Sequence, residues 1–296
     1  MTIARRMNWL VLAAALILTG CTPQNHPCPS AAPAVTATTA PALAGPHAWT
    51  TAPINDSQAN FHFAIIPDRA GGTRPGVYES AIAKTNLLQP AFVMSVGDQI
   101  EGSDNPAEVD RMWDEFDGVL KRLTMRFYRL GGNHDLGNPA LAAKWRQRYG
   151  SPYYSFRHQG VLFLVLDTEE PSFRINNAQL QWIQATLKQN ADARWTMILM
   201  HKPIWDDPEA KPADRDNWQA VEALLADRPY TIFAGHQHTY KSADRDGHRY
   251  YILGTAGGAT DTARQGCFDH ILWVTMTAQG PLAAVLPLSG IQDGSK

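Results

Sequence analysis

From residue 61 onward, apolar runs and helically spaced apolar positions take turns along the chain. Residues 61–66, Phe-His-Phe-Ala-Ile-Ile, form a short aromatic and β-branched run that predicts a strand closed by Pro67-Asp68. Residues 77–88 have helical spacing, and 91–96 read as a buried strand closed by Gly97-Asp98. Over 106–123 the period of 3.6 puts Val109, Met112, Trp113, Phe116, Val119, Leu120 and Leu123 on one face. A strand over 126–130 ends in Gly131-Gly132-Asn133, then a helix over 139–149 precedes strands at 153–157 and 161–166. A helix at 177–189 leads to a strand at 195–200 that ends in His201. Another at 214–226 leads to a strand at 230–234 that ends in Gly235-His236. The last third changes character. Runs at 240–244 and 249–253 flank Asp246-Gly247, a strong two-residue hairpin signal, and 268–277 and 282–288 read as further antiparallel strands. The alternation predicts an α/β domain over 58–296, with no internal repeat and no second boundary.

The first twenty residues follow another pattern. Arg5 and Arg6 precede an unbroken apolar run of ten residues, Trp9 to Leu18. A membrane-spanning helix needs about twenty apolar residues and a signal-peptide core about 7–15, so residues 1–20 read as a signal peptide. Leu18-Thr19-Gly20-Cys21 resembles the lipobox of bacterial lipoproteins, whose cysteine is acylated after cleavage before it. Two or three acyl chains at about 0.8 kcal/mol per buried methylene hold firmly to a bilayer. The surroundings of the Arg pair fit twin-arginine export poorly. Thr22 follows the cysteine instead of an inner-membrane-retaining Asp, so the expectation is a periplasm-facing lipoprotein of the outer membrane of a Gram-negative envelope. Residues 21–57 are Pro-, Ala- and Thr-rich without periodicity and read as a semi-extended tether. Cys28 in that tether and Cys267 could pair in an oxidising periplasm.

Composition narrows the classes further. Of 296 residues 44% are apolar, enough for a packed core, while a mean hydropathy of −0.29 and a single long apolar run exclude a polytopic membrane protein. The 26 basic and 28 acidic residues leave no surplus for non-specific nucleic-acid binding, and loss of Arg5 and Arg6 on cleavage takes the net charge to −4. Three cysteines cannot make a disulfide scaffold. Oligomeric state has no signature in the chain.

The chemistry lies where strands stop. Five apolar strands end in turn at Asp68, Asp98, Asn133, His201 and His236/His238. In α/β sheets sites gather at carboxyl ends of strands, because loops converge there over a rigid edge. Oxygen and imidazole donors at each such end make a metal centre the economical explanation. The set resembles the calcineurin-like metallophosphoesterase superfamily, whose blocks run Asp-x-His, Gly-Asp, Gly-Asn-His-Asp/Glu, a strand-ending His, and Gly-His-x-His. This chain has Asp68, Gly97-Asp98, Gly132-Asn133-His134-Asp135, His201 within Met-His-Lys-Pro, and Gly235-His236-Gln237-His238, in that order.

The resemblance implies a mixed-sheet, four-layer α/β/β/α sandwich. It also implies two divalent ions (Mn, Fe, Mg or Zn) and hydrolysis of a small phosphorylated substrate, a phosphate mono- or diester. Two cations about 3.5–4 Å apart can share a hydroxide, bind phosphoryl oxygens and neutralise developing charge. Carried across, Asp98 would bridge; Asn133, His201 and His236 would hold one ion, and Asp68 and His238 the other. His134, oriented by Asp135, would stabilise or protonate the leaving oxygen.

One block departs from the pattern: Asp68-Arg69-Ala70 stands where Asp-x-His is usual, and alanine cannot ligate. Purple acid phosphatases also lack that histidine and use a tyrosine three residues after the Gly-Asp aspartate. The equivalent position here is Glu101, a hard carboxylate ligand expected to replace the missing imidazole, the alternative being a solvated loop carboxylate. Arg69 could grip a non-bridging phosphate oxygen, or pair with Asp98 or Glu101. Trp205, Trp218, Tyr240 and Arg264 are candidates for the outer pocket. A rival reading follows from Ala70: a lipoprotein that keeps the fold for binding or envelope structure with little turnover.

Overall fold

Alternate side chains of the central strands enter two different cores, and that partition builds the layers. The computed structural model describes residue 50 and residues 60–294. The signal peptide, Cys21, Cys28 and nearly all of the tether lie outside the described residues. Along β5 (Val161–Val165), β6 (Trp195–Leu199) and β7 (Tyr230–Ala234), Phe163, Met197 and Phe233 join one buried cluster. Their neighbours Leu162, Leu164, Ile198 and Ile232 join the other. A strand's period of two thus buries both faces of the sheet.

The first sheet has the order β11-β10-β1-β2-β3. Within it β1 (Phe61–Ile66), β2 (Phe92–Ser95) and β3 (Arg126–Tyr128) are parallel, while β10 (His270–Thr277) and β11 (Gly280–Pro287) are antiparallel. The second sheet runs β4-β5-β6-β7-β9-β8, with β5, β6, β7 and β9 (His248–Ile252) parallel. Its antiparallel edges are β4 (Tyr154–His158) and β8 (Lys241–Arg245). Aromatic rings interdigitate between the sheets: Phe163 packs edge-on against Phe63 and Phe92, each with 5.3 Å between ring centroids.

Helices cover the outer faces. Tyr78 and Ile82 of α1 (Val77–Leu88) and Val109, Trp113 and Phe116 of α2 (Pro106–Leu120) pack with the first sheet. Ile183 and Leu187 of α5 (Asn177–Gln189) and Trp218, Val221 and Leu225 of α6 (Pro212–Leu225) pack on the second. The four layers are those expected. Helix starts follow local chemistry: Asn105 and Asn138 cap α2 and α4 (Pro139–Tyr149) through their side chains, each followed by proline at the first helical position. Pro212 likewise starts α6 two residues ahead of the expected 214, and α2 stops three residues short of 123. Leu123, past the helix end, is still buried.

Two local outcomes bear on the site. The Asp246-Gly247 hairpin forms with both residues at positive φ, 50° and 81°, between paired Arg245 and His248. Its second strand also docks parallel to β7, extending the second sheet. Residues 133–136, for which the periodicity predicts no element, form a short helix, α3 (Asn133–Leu136), directly after β3. No helix among the described residues is long and apolar enough to cross a membrane.

Candidate metal centre

The loops that leave β1, β2, β3, β6 and β7 at their carboxyl ends bring six expected side chains into one cluster. Two sets of three ligand atoms, each within 4.8 Å of one another, are Asp98, His201, His236 and Asp68, Asp98, His238. Asp98 belongs to both. Asn133 adds an oxygen to the first, with Oδ1 3.0 Å from His201 Nε2. The backbone is bent to achieve this: Asp98, His236 and His238 all have positive φ, at 52°, 71° and 51°. Such conformations cost of order 1–3 kcal/mol each and persist where the surroundings over-determine them. The glycines beside the ligands are steric necessities. A Cβ on Gly132 would lie 2.2 Å from Asp98 Oδ1, and one on Gly235 2.4 Å from Asp68 Oδ1.

The donor set calls for a cation. His201 Nδ1 donates to the carbonyl of Val96 at 2.7 Å, so Nε2 is the nitrogen turned on Asp98 Oδ2 at 3.2 Å and Asn133 Oδ1 at 3.0 Å. A neutral imidazole there aims a lone pair at two oxygens, which is stable only with a proton or a metal ion among them. Burial lowers the His201 imidazole, but the charges of Asp98, Asp68 and Glu169 outweigh it and bring it up to about 10. Positive charge is demanded at that point. Asp68 is fully buried with Oδ1 unpartnered, and its carboxyl is pushed up by burial and by repulsion from Asp98 and Asp135, against the pull of His201. Burial also raises Asp98, yet His201 and His134 overcome this and hold it near 2. His236 is lowered to about 3 by burial and the charges of His201 and Lys202, and burial lowers His238 as well, so both are neutral as ligands must be. Two divalent ions fit this set of carboxylates, neutral imidazoles and one amide oxygen.

The residues around the cluster differ from expectation in three places. Asp135 does not orient His134. Its buried carboxylate accepts from the backbone N–H groups of Gly132, Gln99 and Ile100 at 2.9–3.1 Å, clamping the loops after β2 and β3 together. His134 is instead held through Nδ1, which donates to the carbonyl of Glu101 at 2.7 Å. Glu101 is absent from both ligand groups. Its carboxylate accepts from Gly72 N at 3.0 Å and Thr73 N at 2.5 Å, so the loop that lacks the usual histidine has claimed it. Burial raises the Glu101 carboxyl, but these hydrogen bonds and the charge of His134 bring it below the usual range. Arg69, buried, donates to the Gln99 carbonyl at 3.0 Å and to Glu115 at 2.7 Å, over the Phe116 ring, and so pairs with neither Asp98 nor Glu101. The phosphate grip expected of it has no geometric support.

Of the outer-pocket candidates, Trp218 is core, with Trp205 packed against it at 5.8 Å between ring centroids. Tyr240 packs on Phe268 and His270, and Arg264 is exposed. The Cys267 thiol is buried 3.3 Å from the Thr239 hydroxyl. Sequence reasoning passed over Asp207 and the Lys202–Glu169 ion pair at 2.8 Å beside His201, because neither stands in a metal-ligand spacing.

The family model for calcineurin-like phosphoesterases matches residues 54–240, which include every ligand of the cluster. The chain belongs to the calcineurin-like phosphoesterase family. Members of this family of phosphoric ester hydrolases depend on two metal ions. Among curated proteins it is similar to the serine/threonine-protein phosphatase CPPED1 of Homo sapiens, 27% identical over 194 residues, covering 56% of this chain and 61% of that one. The chain thus spans less than two thirds of the length of the curated relatives it matches. Among solved structures, purple acid phosphatase PPD1 from yellow lupin (Lupinus luteus) superposes with a TM-score of 0.62 at 14% identity, over 81% of this chain and 53% of that chain. A dimetal phosphatase from Danio rerio superposes with a TM-score of 0.51 at 17% identity, over 76% and 99%. At such identities the likeness is one of fold.

Proposed function

We propose that this chain hydrolyses phosphate mono- or diesters with two divalent ions, and does so as a periplasm-facing lipoprotein anchored through Cys21. Asn133, His201 and His236 would hold one ion, Asp68 and His238 the other, with Asp98 common to both. That shared carboxylate carries the reading, since a single-ion site has no use for a second triad on the same aspartate. When bound, the ions supply Lewis-acid charge against the phosphoryl oxygens and lower the pKa of water.

His134 is the candidate proton donor. With Nδ1 tied to the Glu101 carbonyl, its free nitrogen is Nε2. A Cβ on Gly71 would lie 3.5 Å from that nitrogen and 3.0 Å from His238 Cε1, so both imidazoles border one small space. In its protonated form His134 would deliver Nε2–H to the leaving oxygen. The anchor rests on Leu18-Thr19-Gly20-Cys21 and the ten-residue apolar run, and the outer membrane on Thr22 after the cysteine.

The rival reading, a binding or envelope-structural protein with little turnover, draws on one observation. With Ala70 unable to ligate and Glu101 engaged elsewhere, the second ion has, among the described residues, only Asp68, Asp98 and His238. Metal analysis combined with a screen of mono-, di- and pyrophosphate esters on the form lacking residues 1–21 separates the two. Two bound ions with metal-dependent hydrolysis support the enzyme. Bound ions without hydrolysis of any ester support the rival.

A further inference from the structure

Three imidazoles meet in the cluster, and they are not held alike. His201 and His238 each donate Nδ1–H to a main-chain carbonyl at 2.7 Å, Val96 and Ala259 respectively, and so present Nε2. His236 is turned the other way, with Nε2 3.8 Å from Oδ2 of Asp207, a carboxylate only 3% exposed. Asp207 is itself fixed: Oδ1 accepts from Glu209 N at 2.9 Å, Oδ2 from Gln237 Nε2 at 3.3 Å, and its carbonyl from Arg215 at 2.9 Å. The ring of His236 is confined by the edges of His201 and Phe173, with centroids at 5.1 and 5.7 Å.

We infer that Asp207 is a positioning residue for His236: its buried charge, 3.8 Å from Nε2, favours the tautomer with hydrogen on Nε2 and leaves Nδ1 for the ion shared with His201. A carboxylate behind a ligating imidazole orients the ring and raises its basicity more than a carbonyl does. Asp207 would therefore strengthen the site of Asn133, His201 and His236 and leave that of Asp68 and His238 unaffected. The inference rests on the two-ion reading above, but its readout is metal affinity, so it stands or falls separately from turnover.

The test is chelator-competition titration of Mn²⁺ into the full-length, detergent-solubilised chain, comparing wild type with Asp207→Asn and Asp207→Ala. Asp207→Asn can keep the acceptor for Glu209 N–H, so the fold is retained. An amide N–H₂ turned on His236 favours the wrong tautomer, however. Both variants should lose about 10–100-fold in affinity for one Mn²⁺ equivalent, with the other unchanged. Thermal unfolding of the metal-free proteins checks the fold, and for Asp207→Asn it should match wild type. Two equivalents of wild-type affinity in Asp207→Asn would overturn the inference, and so would equal weakening of both.

Discussion

At Asp98 three demands meet on one carboxylate. Oδ1 accepts from His134 N at 3.0 Å, Oδ2 faces His201 Nε2 at 3.2 Å, and the residue completes both ligand triads. Asp98→Asn preserves size and removes only the charge that two cations share. Metal analysis should show both equivalents falling together, with turnover down on the order of 10²–10³-fold or more. Loss of one equivalent alone would show that Asp98 does not bridge. Glu101 leads to the opposite expectation. Its carboxylate holds the backbone of Gly72 and Thr73, so Glu101→Ala should keep both ions while freeing that loop beside His134 and His238. Turnover should fall about tenfold with the ion count unchanged; a missing equivalent would return Glu101 to the ligand set. The ligands themselves were legible because they follow the ends of apolar strands, and Asp98, Asn133 and His236 each stand directly after a glycine that the packing requires. Glu101, Arg69 and Asp135 were not. A loop carboxylate or guanidinium takes its partner from residues far along the chain, here Thr73, Glu115 and Gln99, and spacing in sequence carries no record of that choice.

Element by element, the strands that were read most surely are those buried on both faces, where an apolar run bounded by turn residues has few alternatives. Which sheet each strand joins was less legible. The hairpin after β7 could be read from Asp246-Gly247, yet its parallel docking on β7, and the return of β10 to β1, depend on contacts between distant segments. The loop after β5 shows what else a strand end can hold. Asp167 is buried there, accepting from Glu169 N at 2.8 Å, and desolvation pushes its carboxyl up to about 7. The folded chain therefore binds this proton more tightly than the unfolded chain. Its stabilising contribution is complete below about pH 4, the ordinary range of an aspartate, and is lost as pH rises through about 7. A displacement of that size is worth on the order of a few kcal/mol. Asp167→Asn keeps an acceptor for the Glu169 N–H and cannot ionise. Thermal unfolding between pH 5 and 8, in about that range, should show wild type losing stability relative to the variant. Parallel profiles would mean that Asp167 titrates normally.

At the scale of the whole molecule, the fold separates where the chain enters from where the chemistry sits. β1 begins at Phe61 and runs to the loop bearing Asp68, so the folded part is entered at one end of the strand and the metal cluster lies beyond the other. Among the described residues, no ligand of the cluster precedes Asp68. Roughly forty residues, rich in Pro, Ala and Thr, separate Cys21 from the first strand in the sequence. Anchoring and catalysis should therefore be independent. Cys21→Ser removes the only atom that can be acylated in the lipobox-like segment, and two or three acyl chains are what would hold the protein to a bilayer. Lipid labelling should disappear and the protein should move from the membrane to the soluble fraction. The metal content and kcat on a soluble phosphate ester should stay within about twofold of wild type, since no ligand or loop of the cluster has been touched. Labelling that persists in Cys21→Ser would refute acylation at that residue. Release accompanied by loss of an ion would show instead that the tether reaches the site.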